Sequence, residues 1–138
     1  MADPSETAGI AELARRGYAI FSEEGIDAWI DRFTAADFVW DLEPLGLGVY
    51  EGRAAYREFV EDWISSYESW SLALEEVHEV GSDFTVATVV QHGRPHGSDQ
   101  SVEFRWVQLS IWEGNRVRRA INFASVEEAT EAASRRSS

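Results

Sequence analysis

Along Phe38-Val39-Trp40-Asp41-Leu42-Glu43, acidic residues alternate with apolar ones. Alternation of that period builds a strand, and it puts Val39, Asp41 and Glu43 on one face. Two carboxylates on a face that looks into an apolar pocket raise each other's pKa, and burial raises it further, so one of them becomes a general base near neutral pH. The spacing leaves open which of the two faces the pocket and which is a rim residue. Among the histidines, His92 ends a strand beside a hairpin, where an imidazole at a pocket rim serves as acid or base. His96 falls in a Gly/Pro/Ser loop, and His78 in an alternating strand as a surface residue. Three histidines without paired spacing make no metal site, and none is expected. Other chemistries lack their residues. Thiolate nucleophiles and disulfides need Cys, of which there is none, and Schiff bases need Lys, whereas every basic residue is Arg. No phosphate-cradling glycine loop, nucleophile elbow or dinucleotide fingerprint occurs, so no cofactor is expected.

The elements that must position these groups are legible from hydrophobic period. Ile10, Leu13, Ala14, Gly17, Tyr18 and Phe21 form one face of a first helix, which Gly25 breaks. Asp27 caps a short second helix with Ala28, Trp29, Ile30 and Phe33. The strand Phe38 to Glu43 ends in a loop at Pro44, Gly46 and Gly48. A third helix carries Tyr56, Phe59, Val60, Trp63, Ile64 and Tyr67 inward and Arg57, Glu58, Glu61 and Asp62 outward. Strands are expected at roughly 70–80, 84–92, 101–113 and 116–123, divided by Gly81-Ser82-Asp83, Gly93 to Gln100 and Glu113-Gly114-Asn115. A short closing helix spans Val126 to Ala133. Helices first and a hairpin meander afterwards predict an α+β layer protein with one domain over 7–133, flanked by flexible termini at 1–6 and 134–138. Strands that must wrap helices curl, and a curled sheet leaves a cavity at its mouth.

Composition narrows the partners. A formal net charge of -13 in 138 residues repels phosphate backbones and anionic lipid, so neither nucleic acid nor a membrane is expected. No apolar run approaches the ~18 residues of a membrane span. Met1 to Glu6 lacks the basic start and apolar core of a secretory signal. Together with the missing Cys, this makes the cytoplasm the expected location. Six Trp, four Tyr and seven Phe separate the chain from a disordered acidic segment.

Four runs carry a resemblance to a known family: Phe38-Val39-Trp40-Asp41, Gly48-Val49-Tyr50-Glu51-Gly52-Arg53, Phe59-Val60-Glu61-Asp62-Trp63, and Val107-Gln108-Leu109-Ser110-Ile111-Trp112-Glu113-Gly114-Asn115-Arg116-Val117. In their order and spacing, over about Leu13 to Ala132, the chain resembles the SnoaL-like, ketosteroid-isomerase-like branch of the nuclear transport factor two-like superfamily. The resemblance implies a cone-shaped α+β barrel, in which a curved antiparallel sheet wraps three N-terminal helices around a pocket. It also implies a homodimer through the open sheet face, where Glu103, Arg105, Val107, Leu109 and Ile111 would lie.

In ketosteroid isomerase a carboxylate base precedes a proline at the end of the first strand, and Arg-Glu-Phe follows in the third helix. Glu43-Pro44 and Arg57-Glu58-Phe59 fit that frame without a gap, so the resemblance nominates Glu43 as base, with Asp41 as its rival. It places Gln108 where the isomerase has a protonated acid donating to the developing oxyanion, a role an amide can fill without titrating. With one gap, Tyr18 matches the second donor, and its helical spacing equally suits a core aromatic. An inward Gln108 brings Phe104, Trp106, Ser110 and Trp112 to its face, with Ala120 and Asn122 from the last strand. The expected ligand-binding set is thus Trp29, Phe33, Trp40, Tyr56, Phe59, Trp63, His92, Phe104, Trp106 and Asn122. Epoxide hydrolases of this superfamily use an Asp-Arg-Asp network. Arg105, opposite Gln108 by alternation, does not supply one.

Three functions fit. One is a cofactor-independent isomerase or polyketide-cyclase-like enzyme that moves a proton on a small apolar carbonyl compound. Another is a non-catalytic protein that binds a small apolar molecule. The third is an interaction domain whose pocket is plugged by its own Trp106 and Trp112.

Overall fold

The structure, a computed structural model, describes residues 9–137. The expected flexible segment 1–6 and Ser138 lie outside the described residues. In chain order the elements are α1 (Ile10–Glu24), α2 (Ile26–Phe33), β1 (Thr34–Asp41), a 3-10 turn (Glu43–Leu45), β2 (Val49–Glu51), α3 (Arg53–Ser65), β3 (Tyr67–Val80), β4 (Phe84–Pro95), β5 (Val102–Glu113), β6 (Arg116–Phe123) and α4 (Val126–Ser137).

Two glycines set how the helices enter. Gly25 has φ 96, a left-handed conformation that disfavours a side chain, and its N–H closes α1 onto Ile20 and Phe21 before α2 begins. Gly17 lets α2 approach, since a Cβ there would stand 2.5 Å from Cζ3 of Trp29. The Trp29 ring stacks between Tyr18 and Phe33.

The six strands form one sheet in the order β2-β1-β6-β5-β4-β3. All neighbours are antiparallel except β1 and β6, which run parallel, Trp40 beside Ala120 and Asp41 beside Ile121. The sheet is therefore mixed, a correction to the antiparallel expectation. A strand from the first third of the chain inserts beside the last one, a long-range pairing that hairpin spacing cannot reveal. Register shifts interrupt β1/β6, β3/β4 and β5/β6, and such irregularities bend a sheet. The bent, unclosed sheet wraps α1, α2 and α3 into a cone-shaped α+β fold.

Each face has its own core. The concave face buries Phe38, Trp40, Leu42, Val77, Val89 and Trp112 against Leu13, Ile30 and Tyr56 from the helices. On the convex face Phe84, Val86, Leu109 and Ile121 meet Ala129 and Ala133 of α4. The closing helix thus packs on the opposite side from the other three and continues to Ser137. Its last turn, expected to fray with the terminus, contains an Arg135–Glu131 ion pair one turn apart.

Candidate functional site

A cavity opens between α1, α2, α3 and the concave face. Its non-atom space, open solvent at the mouth included, comes to about 810 Å³. Trp29 from α2, Tyr56, Phe59 and Trp63 from α3, Trp40 from β1, and Phe104 and Trp106 from β5 form aromatic walls. Tyr18, Gln108 and Asn122 add polar groups to the same surface. Leu47, Trp63 and Phe104 are the exposed members, and they mark the mouth.

The polar groups form one chain. The Tyr18 hydroxyl donates to Gln108 Oε1 at 2.6 Å, and Gln108 Nε2 donates to Asn122 Oδ1 at 3.0 Å, leaving the Asn122 amide nitrogen as the terminal donor. Gln108 and Asn122 are directly paired across β5 and β6, so both side chains leave the same face. Next to this chain the Trp29 indole N–H donates to the Tyr56 hydroxyl at 3.0 Å. Burial raises the Tyr18 phenol well above its ordinary pKa, and the neighbouring Tyr56 pushes it the same way. Burial also raises the Tyr56 phenol, against a smaller opposing effect from the Trp29 hydrogen bond. Both therefore remain neutral hydrogen-bonding groups.

The carboxylates are elsewhere. β1 turns Phe38, Trp40 and Leu42 inward, so Asp41 points to the convex side and pairs with Arg119 at 2.7 Å. Another Asp41 oxygen accepts the backbone N–H of Glu43 at 2.9 Å. Glu43 lies past the strand, exposed in the 3-10 turn. The expectation that the acidic face of this strand looks into the pocket is corrected. Alternation allows either face inward, and burying an aromatic and aliphatic set costs far less than burying two charges. Phe33 lies behind the wall, stacked on Trp29 at 5.5 Å, and does not line the cavity. His92 also lies outside it, on the convex side 3.8 Å from Glu103. Trp112 is buried away from the cavity with its N–H on Thr85 Oγ1 at 2.9 Å, and Ser110 is likewise buried outside the lining.

Sequence reasoning missed Gln91, Trp70, Leu72, Phe21 and the leucines of the turn, Leu42, Leu45 and Leu47, all of which line the cavity. Once the inner face is known, period-two counting from Thr85 through Ala87 and Val89 leads to Gln91. Among the described residues no group of three or more His, Asp or Glu side chains converges as a metal site. No helix among them is long and apolar enough to cross a membrane.

The SnoaL-like domain model matches residues 14–120. A structure of TerC co-crystallised with polyporic acid is similar at 18% identity and a TM-score of 0.71, over 92% of this chain and 99% of that one. A putative polyketide cyclase from Xanthomonas campestris pv. campestris shares 21% identity with a TM-score of 0.67, over 90% and 96%. A hypothetical protein of ketosteroid isomerase-like fold from Catenulispora acidiphila, in complex with trimethylamine, shares 15% with a TM-score of 0.68, over 89% and 92%. At these identities the likeness is one of fold. No curated protein sequence matches significantly.

Proposed function

Since the chain belongs to the SnoaL-like domain family, we propose that its cavity binds a small, neutral, largely apolar molecule and receives one carbonyl oxygen at the Asn122–Gln108–Tyr18 chain. The observation that carries this reading is the lining itself, which among the described residues contains no carboxylate, imidazole or guanidinium. A charged ligand would lose its hydration there without gaining a counter-charge, whereas a carbonyl gains an amide donor. Two similar structures hold small organic molecules, polyporic acid and trimethylamine, in agreement with a small-molecule role. Titrating tryptophan fluorescence with 9-fluorenone and with fluorene-9-carboxylate tests it. The ketone binds and the acid does not; binding of neither, or preference for the acid, removes the reading.

A second reading keeps catalysis. The turn that exposes Glu43 also contributes Leu42, Leu45 and Leu47 to the cavity, so a shift of this turn would bring a carboxylate to the mouth. Glu43 would then be the base of an isomerase or cyclase, with Tyr18 and Gln108 as donors to the developing oxyanion. Enone isomerisation and polyketide cyclisation assays of Glu43→Gln separate the readings, since unchanged turnover eliminates this mechanism. Under either reading we place the protein in the cytoplasm as a homodimer. α4 covers Leu109 and Ile111, so the dimer would use the open part of the convex face around Glu75, Glu103 and Arg105.

A further inference from the structure

The cavity has a second polar end. Gln91 is 0% exposed, yet its side chain lines the cavity near the mouth. Its Oε1 accepts the Trp63 indole N–H at 2.6 Å and its Nε2 donates to the Tyr67 hydroxyl at 3.1 Å. One amide N–H remains. Gln91 pairs with Phe104 and Gln108 with Ala87, so the two glutamines stand four residues apart along the β4/β5 ladder. At ~3.4 Å per residue and ~4.8 Å between strands, their Cα atoms are about 14 Å apart on one concave face.

Unmet donors lie on the same surface, one between the two glutamines and one beyond each of them. The indole nitrogens of Trp40, Trp70 and Trp106 are buried without a hydrogen-bond partner, and all three rings line the cavity. Trp40 pairs with Ala120, two residues from Asn122, and Trp70 pairs with Gly93, two residues from Gln91. Trp106 sits between Phe104 and Gln108 on β5. Buried N–H groups are almost always paired in folded proteins, so these three indoles are donors that water or the acceptor atoms of an entering molecule would satisfy. No acidic side chain in the lining offers itself as an acceptor.

Resting on the proposal that this cavity binds a neutral carbonyl compound, the geometry points to a ligand class: an elongated, rigid molecule with acceptor oxygens at both ends and an aromatic or alicyclic span between them. One oxygen meets Asn122 and Gln108, and the other meets Gln91 at the mouth. A ligand with a single polar end leaves Gln91 facing apolar surface.

Biphenyl, 4-acetylbiphenyl and 4,4′-diacetylbiphenyl, titrated against the intact protein by tryptophan fluorescence, test this. The second acetyl group tightens binding by about tenfold over the first, the value of one good hydrogen bond to a buried donor. Gln91→Met, of similar volume, brings that ratio close to one. Equal affinity of the unsubstituted protein for the mono- and diketone overturns the two-ended ligand while leaving the one-carbonyl reading intact. A ratio that survives in a folded Gln91→Met protein overturns the assignment of Gln91. Failure of all three compounds to bind overturns both proposals.

Discussion

Tyr18 and Gln108, 90 positions apart in sequence, meet in a 2.6 Å hydrogen bond that ties α1 to β5 across the cavity. Replacing Tyr18 with Phe leaves Gln108 Oε1 without its donor and frees the amide to turn. The expected loss is about 1 kcal/mol in urea unfolding, with a larger proportional loss of affinity for a carbonyl ligand. Unchanged ligand affinity would show that the chain does not orient the ligand.

Gly17→Ala weighs two opposing effects. A glycine-to-alanine change inside a helix stabilises by about 0.5–1 kcal/mol, but here the new methyl collides with a ring that Tyr18, Phe33 and the Tyr56 hydroxyl hold in place. Overpacking of this kind costs about 1–3 kcal/mol, so the variant is less stable, and its near-UV circular dichroism changes as Trp29 moves. A gain in stability would mean that Trp29 is free to swing.

Asp41 and Glu43 separate cleanly. Asp41→Asn removes the partner of a largely buried Arg119, whose side chain is 28% exposed and whose Nε already lacks a partner. The result is a loss of about 1–3 kcal/mol in denaturant unfolding, with ligand affinity unchanged. Glu43→Gln, at an exposed turn position, changes neither stability nor affinity measurably. Loss of binding or turnover in Glu43→Gln would instead bring the turn into the site.

Alkaline pH exposes the two buried phenols. Their folded pKa values lie above the ordinary value of 10.0, so they favour the folded state up to about pH 10. Above it the unfolded chain loses two protons that the folded chain keeps. Stability then falls by up to about 2.7 kcal/mol per pH unit. Tyr56→Phe halves that slope in urea titrations between pH 10 and 11. An unchanged slope would show that the Tyr56 phenol ionises in the folded protein. Affinity for a neutral ketone, by contrast, stays flat from pH 6 to 9, because the lining presents no group that titrates there.

Much of this architecture was legible in the sequence because long amphipathic segments announce themselves. α1, α3 and the β3–β6 meander stand close to where their periods put them, and Gly25 breaks the helix as expected. β2 escaped notice, since three residues are too few to show alternation. The main error has a physical cause. Asp41-Leu42-Glu43 reads equally well with either face inward, and only the packing of Phe38 and Trp40 against Tyr56 decides it. Gln108 and Asn122, argued from alternation and resemblance, do meet in space. Gln91 was overlooked because an apolar strand offers no contrast from which to pick its inner face.

The parallel seam between β1 and β6 also governs how the protein is made. A chain leaving the ribosome has synthesised Trp40 long before the strand that must lie beside it, and β1 has only the three-residue β2 for company until Arg116–Phe123 emerges. Until then the aromatic wall has no neighbour on one side, and the nascent chain carries an open, greasy seam. Birth of the cavity therefore awaits the synthesis of Arg116–Phe123, and truncation before Arg116 leaves a product with helices but nowhere to hold a guest.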